Sequence, residues 1–339
     1  MADERQGDER RPTSADVARA AGVSRATVSY VLNGQQLDRI TRETQDRVLA
    51  SARELGYRPN AAAKTLRKGT SDVVLLSFPP WPLGPAVAET MSVWVADLAE
   101  LGYTTLVHLE RDDDGGSLEL ACHRLQPACV VAPGRVLSRT MVRNLRAGGT
   151  TAMLAYFDYE PVGYVPTLTF DQAEVGRAAA GYLADAGHRS LLVLLPAEPG
   201  ELTRLADRRL AGAREVAAER GLTLREVRCG GAEVGAALAP LLSTGRPPCT
   251  AVFAFNDEYA LLALQQLTRR GLAVPGDVAV IGCDDSPVAA FSSPPLSSVR
   301  FGSTGTKVLA DAVRRVVKGE RLPRQIPLGH PFVVRRESA

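Results

Sequence analysis

The sequence predicts an α/β protein in which an N-terminal three-helix headpiece and a hinge helix precede two doubly wound parallel-sheet lobes. Two observations predict this arrangement. The first 70 residues contain short amphipathic helix patterns and an excess of basic residues, whereas short apolar runs alternate with longer amphipathic stretches from Ser71 onward. Apolar strands that alternate with helices are typical of parallel sheets covered on both faces. The chain of 339 residues, 45% of them apolar, is long enough for a small domain and a two-lobed body.

The first predicted elements form a helix-turn-helix within residues 13–34. Thr13 can cap the first helix and form a capping box with Asp16, Gly22 supplies the turn, and Ser24 can cap the second helix. Two helices joined at a glycine also occur as ordinary core structure, so both interpretations stay open at this point. The residues expected to face the core are Val17, Ala18, Ala21, Val28, Val31 and Leu32.

The start of the second helix is the predicted reading surface. A helix-turn-helix places these residues at base edges in the major groove. Arg25 can make a bidentate contact with guanine, whereas Ala26 can only touch a thymine methyl group. The headpiece residues predicted to contact DNA are Thr13, Ser24, Arg25, Ala26, Thr27, Ser29, Tyr30 and Asn33.

A third helix and the local charge support the DNA-binding interpretation. The apolar spacing predicts a helix over Thr41–Leu55, with Val48, Leu49, Ala52 and Leu55 facing inward. Residues 13–69 contain ten basic and five acidic side chains, a net charge of +5, whereas the whole chain carries +2. Such a local excess is the footprint expected of phosphate contacts.

Residues 59–70 are predicted to form a hinge helix. Pro59 restricts the entering backbone, Asn60 can cap the helix, and a run of three alanines ending at Ala63 is small enough for two such helices to touch. Leu66 lies on the same helical face. A flexible linker is the alternative, because an isolated helix of about eight residues is unstable in water. Both can hold if the hinge is disordered off DNA and helical on it.

The order A-x-x-A-G-V-S-x-x-T-V-S-x-V-L-N-G, from Ala18 to Gly34, resembles the signature of the LacI (lactose repressor) family. The resemblance continues through GYRPNAAAKTLRKGTS, at residues 56–71, and extends over nearly everything after residue 12. It implies lobes similar to those of periplasmic sugar-binding proteins, and a leucine, here Leu66, that wedges into the minor groove. It adds Asn60, Ala63 and Leu66 to the predicted DNA contacts. Tyr30 stands where the family commonly has arginine, so a base preference cannot be transferred, and a phosphate contact is an option.

The predicted organisation places the chain's crossings between lobes near residues 157–169, 294–301 and 327–333. The predicted strands are Val73–Phe78, Thr104–Leu109, Ala128–Ala132, Thr151–Ala155, Ser190–Leu195, Thr250–Phe255 and Asp277–Gly282. The predicted domains are a disordered N-terminus at 1–12, the headpiece at 13–58, the hinge and linker at 59–70, and the body at 71–335. Within the body, lobe 1 is expected at about 71–160 and 298–328, and lobe 2 at about 165–295 and 329–335.

A small ligand is expected between the lobes, where the carboxyl ends of the strands face each other. The resemblance assigns Arg209, in the sequence R-L-A-G, and Asp284, after the strand VAVIG, to effector binding; an ion pair with a purely structural role is the alternative. Asn256 follows the strand AVFAF, and Trp81 can either stack on a ligand or form a wall of the cleft. Asp257 and Asp285 are expected to cap helices instead. The predicted effector site is therefore Trp81, Arg209, Asn256 and Asp284.

Several other classes of protein are excluded or disfavoured. No apolar run approaches the roughly 20 residues that span a bilayer, and the N-terminus is charged, so we expect a cytoplasmic protein without a membrane partner. The five scattered cysteines lack a C-x-x-C pair and are expected to be reduced, with no metal and no cofactor. A dinucleotide-binding enzyme would have G-x-G-x-x-G after the first strand, where this chain has FPPWPLGP. The nucleophile motif of hydrolases, G-x-S-x-G, does not occur in the sequence. An enzyme is therefore not expected.

These observations predict a sequence-specific transcriptional regulator that binds double-stranded operator DNA. We expect a repressor that binds a near-palindromic operator as a homodimer and is controlled by a small molecule, such as a sugar or related metabolite, in the cleft. A regulator without a small-molecule effector and an activator stay open as alternatives. No leucine heptad follows residue 330, so a dimer is expected rather than a tetramer.

Overall fold

A computed structural model describes residues 12–58, 71–78, 84–110, 116–156, 162–197, 200–242, 249–303 and 307–339. The chain divides into two compact units, Met1–Ser71 and Asp72–Ala339. The predictions for the N-terminus up to residue 11 and for the hinge at 59–70, with its proposed DNA contacts Asn60, Ala63 and Leu66, lie outside the described residues.

The headpiece contains three helices, α1 (Ser14–Ala21), α2 (Arg25–Leu32) and α3 (Arg42–Glu54). Thr13 is the N-cap of α1, and Ser24 caps α2 by accepting a hydrogen bond from the Thr27 amide at 3.0 Å. Gly22 ends α1 with φ of 64°, a left-handed conformation that favours glycine. The predicted helix-turn-helix pattern and its caps are confirmed.

The three helices enclose a small apolar core. The buried apolar residues are Val17, Ala18, Ala21, Val28, Val31, Val48 and Ala52. Leu32 and Leu49 are half-buried against them. Leu55 is 39% exposed, so its predicted inward position is wrong; α3 ends one residue earlier and Leu55 lies at its C-cap. The Arg47 Nε donates to the Ala21 carbonyl at 2.8 Å, which ties α3 to the end of α1.

In the part of the second unit that the structure describes, the strands form two six-stranded sheets. The first sheet has the order β11-β5-β4-β3-β1-β2, and the second has the order β12-β10-β9-β8-β6-β7. Every strand pairing among the described residues is parallel except that of β10 with β12. The strands of the first sheet are β1 (Val73–Phe78), β2 (Thr104–Leu109), β3 (Cys129–Pro133), β4 (Met153–Tyr156), β5 (Thr167–Thr169) and β11 (Gln325–Pro327). Those of the second are β6 (Ser190–Pro196), β7 (Thr223–Cys229), β8 (Ala251–Ala254), β9 (Ala279–Cys283), β10 (Ser297–Ser303) and β12 (Gly329–Val334).

Helices cover both faces of each sheet, with apolar clusters on either side. The lobe around the first sheet is called lobe 1 and the other lobe 2. The helices are α4 (Pro85–Glu100), α5 (Gly116–Leu125), α6 (Arg139–Ala147), α7 (Gln172–Asp185), α8 (Glu201–Arg220), α9 (Val234–Leu242), α10 (Asp257–Arg269) and α11 (Val308–Val317). The predicted pair of doubly wound lobes is confirmed.

The lobe boundaries differ from the expected ones in three places. β5 belongs to the first sheet, so lobe 1 extends through Thr169 rather than ending near 160. β10 pairs in the second sheet, so residues 298–303 belong to lobe 2 and the second crossing follows Ser303. Lobe 2 continues beyond 335, because Ser338 is buried and its hydroxyl donates to the Val280 carbonyl at 2.6 Å. The third crossing, between β11 and β12, falls within the predicted range.

The seven predicted strands are all present, with bounds shifted by up to two residues. β7, at the edge of the second sheet, was not predicted, because its sequence TLREVRC has no continuous apolar run. β5 and β11 have three residues each, too few for a pattern to indicate a strand.

The five cysteines are buried and free, as expected. Burial raises the pKa of Cys122 to about 12 and that of Cys249 to about 11, so these thiols stay protonated near neutral pH. Among the described residues, no helix has the length and apolar character needed to cross a membrane, and no cluster of side chains suits a metal ion.

Candidate DNA-binding face and effector cleft

The start of α2 presents the predicted reading surface. Ser24, Arg25 and Ala26 are exposed, and Thr27 is half-buried. The Ser24 Oγ lies 2.9 Å from the Thr27 Oγ1, so these hydroxyls are already engaged with each other. Arg25 is therefore the long cationic side chain at this helix start that can reach a base edge.

The other predicted headpiece contacts also serve the headpiece structure. The backbone amide of Thr13 donates to the Asp16 carboxylate at 2.8 Å. The Asn33 Nδ2 donates to the Ser29 carbonyl at 2.7 Å, and Tyr30 is half-buried. DNA contact by Thr13, Ser29, Tyr30 and Asn33 stays a prediction. The local hydrogen bonds of Thr13, Ser29 and Asn33 favour a role in holding α1 and α2 in place.

Arg209 lies in α8, near the carboxyl end of β8, and 6% of its surface is exposed. Its Nε donates to the Gln172 Oε1 at 2.9 Å, and its Nη1 donates to the Phe255 carbonyl. Its guanidinium also lies over the Phe255 ring, 4.7 Å from the ring centre. The remaining Nη2 lies 3.5 Å from the Asp284 Oδ1. The structure thus brings together two residues that the sequence assigned to effector binding.

Two glycines determine where Arg209 lies. A Cβ atom on Gly176, in α7, would lie 1.8 Å from the Arg209 carbonyl oxygen, and one on Gly212 would lie 1.9 Å from the Ala173 carbonyl oxygen. Helices α7 and α8 are therefore in backbone contact, which side chains at these positions would prevent. The glycine of R-L-A-G, which the sequence left unexplained, positions the arginine.

Asp284 and Asp285 form an unusual turn at the end of β9. Their φ values are 96° and 49°, in the left-handed region that non-glycine residues rarely adopt. The Asp284 amide donates to the Val299 carbonyl at 2.8 Å and the Asp285 amide to the Ser298 Oγ at 2.9 Å. The turn directs Asp284, one third exposed, toward the cleft. Strained residues held by their surroundings are frequent at ligand sites.

The predicted helix-capping role of Asp285 is wrong. Its carboxylate accepts a hydrogen bond from the Arg336 Nη2 at 2.7 Å and pairs with the Arg300 Nη1 at 3.3 Å. The helix cap was a reasonable expectation from the local pattern, because Asp after a strand often begins a helix. Arg336 is 51 residues away in the sequence, so no local signal indicates this partner.

The helix cap expected of Asp257 is supplied by Asn256 instead. Asn256 is the N-cap of α10, where its Oδ1 accepts from the Tyr259 amide at 3.0 Å. Asp257 is buried and accepts hydrogen bonds at 2.6 Å from the Ser298 hydroxyl and the Ser286 amide. Asp257 therefore helps to hold the turn at residues 284–286 through its hydrogen bonds to Ser286 and Ser298. Effector contact by Asn256 stays a prediction.

Burial raises the pKa of Asp257 to about 6 from its ordinary value of 3.8. The folded protein therefore binds the proton of the Asp257 carboxyl group more tightly than the unfolded chain does. The protonated carboxyl group stabilises the fold at pH 4, and this stabilisation is lost as the pH rises through 6. We expect Asp257→Asn to remove up to roughly 3 kcal/mol of pH-dependent stability between pH 7 and 4. The measurement is the difference in free energy of unfolding between variant and parent at several pH values. Exposed Asp185→Asn is the control, and parallel curves for Asp257→Asn and the parent would contradict the assignment.

A cavity of about 390 Å³ lies between the lobes beside Asp284. The residues that line it are Pro85, Glu89, Asp284, Asp285, Ser286, Pro287, Ala290, Arg300 and Arg336. Glu89, Arg300 and Arg336 were not predicted, because nothing in their own sequence neighbourhoods marks them as ligand residues. Trp81 lies outside the described residues. The described walls carry paired acids and bases, an arrangement suited to a polar ligand.

Comparisons with known proteins agree with this architecture. The family model for bacterial regulatory proteins of the lacI family matches residues 13–60, and the model for a periplasmic binding protein-like domain matches residues 180–339. The transcriptional regulator CelR of Thermobifida fusca is 32% identical over 336 residues, which cover 90% of this chain and 92% of the relative. The transcriptional repressor PurR of Vibrio cholerae is 27% identical, over 96% of this chain and 97% of the relative.

A solved structure of a CelR–cellobiose complex has 27% identity and a TM-score of 0.64, over 97% of this chain and 100% of that chain. These relatives are transcriptional regulators and not enzymes. Identity of this level over nearly the full length, together with the two matched models, agrees with the helix-turn-helix and the two lobes. The chain therefore belongs to the LacI family of bacterial regulatory proteins and is a DNA-binding transcriptional regulator.

Proposed function

We propose that the protein is a repressor that binds a near-palindromic operator as a homodimer. Its affinity for the operator depends on whether an effector occupies the cleft. The observation that carries the proposal is the Arg209–Asp284 pair, which lies at 3.5 Å in the cleft of a chain that also has a helix-turn-helix. A ligand that contacts these residues differently in two lobe arrangements shifts the equilibrium between them. Effector and operator affinities are then linked reciprocally.

A sugar or a related polar metabolite is the proposed effector. Arg209 and Asp284 provide hydrogen-bond donors and acceptors side by side, which hydroxyl groups can bridge. The buried Phe255 ring packs against the Arg209 guanidinium and helps to hold it in place. The solved relative in complex with cellobiose supports this class of ligand. A thermal-shift screen that includes cellobiose tests the proposal, because a ligand specific to the folded state raises the apparent stability. Absence of a shift with every sugar and metabolite tested would contradict it.

An exposed apolar turn in lobe 2 supports the proposed homodimer. Phe291 is 88% exposed and Val288 is 55% exposed, both in the short 3₁₀ helix Pro287–Phe291. Large aromatic side chains are enriched in protein interfaces, and a twofold dimer presents two equivalent headpieces to a palindrome. Light scattering of the parent and of Phe291→Ser tests this surface, and an unchanged mass would exclude Phe291 from the interface.

Arg25→Ala tests the proposed DNA contact. We expect weaker binding to the selected operator and loss of preference at one base of each half-site, worth about 1–3 kcal/mol, because the bidentate contact is removed. The measurement is fluorescence anisotropy with operator variants at fixed salt. Arg19→Ala is the matched control, since Arg19 is exposed on α1 and pairs with Asp16 at 3.3 Å. A uniform loss across all sequences would identify Arg25 as a phosphate contact instead.

A further inference from the structure

A chain of ion pairs joins the two lobes beside the cavity. Glu89 belongs to α4 of lobe 1, and its Oε1 lies 2.6 Å from the Nη2 of Arg300, on β10 of lobe 2. The Nη1 of the same guanidinium lies 3.3 Å from the Asp285 carboxylate, which in turn pairs with Arg336 at 2.7 Å. Arg300 therefore holds carboxylates of both lobes at once.

The two ends of this chain are anchored differently. The Asp285 side chain is 8% exposed and is fixed by Arg336, so Arg300 is tied firmly to lobe 2. The Glu89 side chain is 59% exposed, and Arg300 is the partner that reaches it across the cleft. Movement of α4 away from β10 would break the Glu89–Arg300 contact and leave the Asp285 contacts intact.

We propose that the Glu89–Arg300 ion pair is a latch that positions the two lobes and so sets the affinity of the cleft for its effector. The pair lines the same cavity as Asp284, so a change in the distance between the lobes changes the ligand site and the latch together. Exposed ion pairs contribute little individually, so the latch biases the ratio of closed to open lobes by about two- to fivefold. The link to effector affinity rests on the proposed function, whereas the latch itself does not.

Energy transfer between dyes on the two lobes measures the closure. Ala147, at the end of α6 in lobe 1, and Glu219, near the end of α8 in lobe 2, are exposed positions for the substitutions Ala147→Cys and Glu219→Cys. The native thiols are buried, which directs the dyes to the new ones. The full chain is used, diluted in unlabelled protein, so that the transfer reports distances within one chain.

The test is a double-mutant cycle of Glu89→Gln and Arg300→Gln in this labelled chain. We expect Glu89→Gln to lower the closed-to-open ratio about two- to fivefold and to have no further effect once Arg300 is glutamine. High salt should reproduce the effect of Glu89→Gln in the parent and not in the double variant, because it screens exposed charges. An unchanged ratio in Glu89→Gln, or an equal change in both backgrounds, would overturn the latch.

Asp207→Asn is the matched control. Asp207, in α8, pairs with Arg228, on β7, at 2.7 Å, so this exposed ion pair has similar length but lies within lobe 2. We expect its removal to leave the closed-to-open ratio unchanged. A change as large as that in Glu89→Gln would show that the dyes report general loosening and would also overturn the latch. The readout needs neither DNA nor effector, so failure of the latch is distinguishable from failure of operator binding, which Arg25→Ala tests.

Discussion

Gly212→Ala is expected to lower the free energy of unfolding by about 3 kcal/mol or more, at the upper end for overpacking. The added methyl group would lie 1.9 Å from the Ala173 carbonyl oxygen, which is backbone and cannot turn aside as a flexible side chain would. The helices α7 and α8 would have to separate, and Arg209, one turn before Gly212, would move with α8. Chemical denaturation of the parent and the variant measures the cost.

Gly181→Ala provides the control for this substitution. Gly181 also lies in α7, but a Cβ atom there meets nothing within 4 Å. Alanine has the higher helix propensity, so we expect a gain of about 0.5–1 kcal/mol. Equal effects of Gly181→Ala and Gly212→Ala would mean that backbone contact between α7 and α8 does not require glycine.

Arg209→Met is expected to weaken effector binding by about 2–5 kcal/mol, because it removes the largely buried charged group that we propose contacts the effector. Methionine keeps an unbranched apolar side chain but removes the guanidinium, which lies over the Phe255 ring, donates to Gln172 and pairs with Asp284. Operator binding without effector should persist, because the headpiece is a separate compact unit. Calorimetric titration with the sugar found by the thermal-shift screen, and operator binding with and without that sugar, check both parts.

Arg177→Met is the matched control for Arg209→Met. Arg177 also bridges polar groups near α7 and α8, pairing with Asp171 at 2.9 Å and Glu215 at 2.8 Å, but its side chain is 37% exposed. We expect effector affinity to stay within the error of measurement in this variant. Normal effector response in Arg209→Met would remove Arg209 from the proposed site and leave it a structural role.

The headpiece illustrates what local patterns can predict. Caps such as Thr13 and Ser24, and the turn at Gly22, depend on residues within one or two helical turns, and each was found as predicted. Leu55 was misplaced because apolar spacing cannot show at which residue a helix ends. Seven of the twelve strands in the described residues were predicted for a similar reason, since buried parallel strands are continuous apolar runs.

The effector cleft shows the opposite case. Asp284 and Arg209 were predicted, but their pairing at 3.5 Å depends on backbone contact at Gly176 and Gly212 between two helices. Asp257, Asp285, Arg300 and Arg336 acquire their roles from partners 15 to 211 residues away.

Residue order alone thus indicated the family, the helix-turn-helix, the alternating strands and helices, and the position of the cleft at the strand ends. The lobe to which β10 belongs, the buried partner of each carboxylate and the Glu89–Arg300 contact emerged only from the folded chain. The physical reason is that helix caps and apolar periodicity are short-range properties of the sequence. Ion pairs and close helix contacts form instead between segments that are distant in the chain and meet only when the lobes are packed.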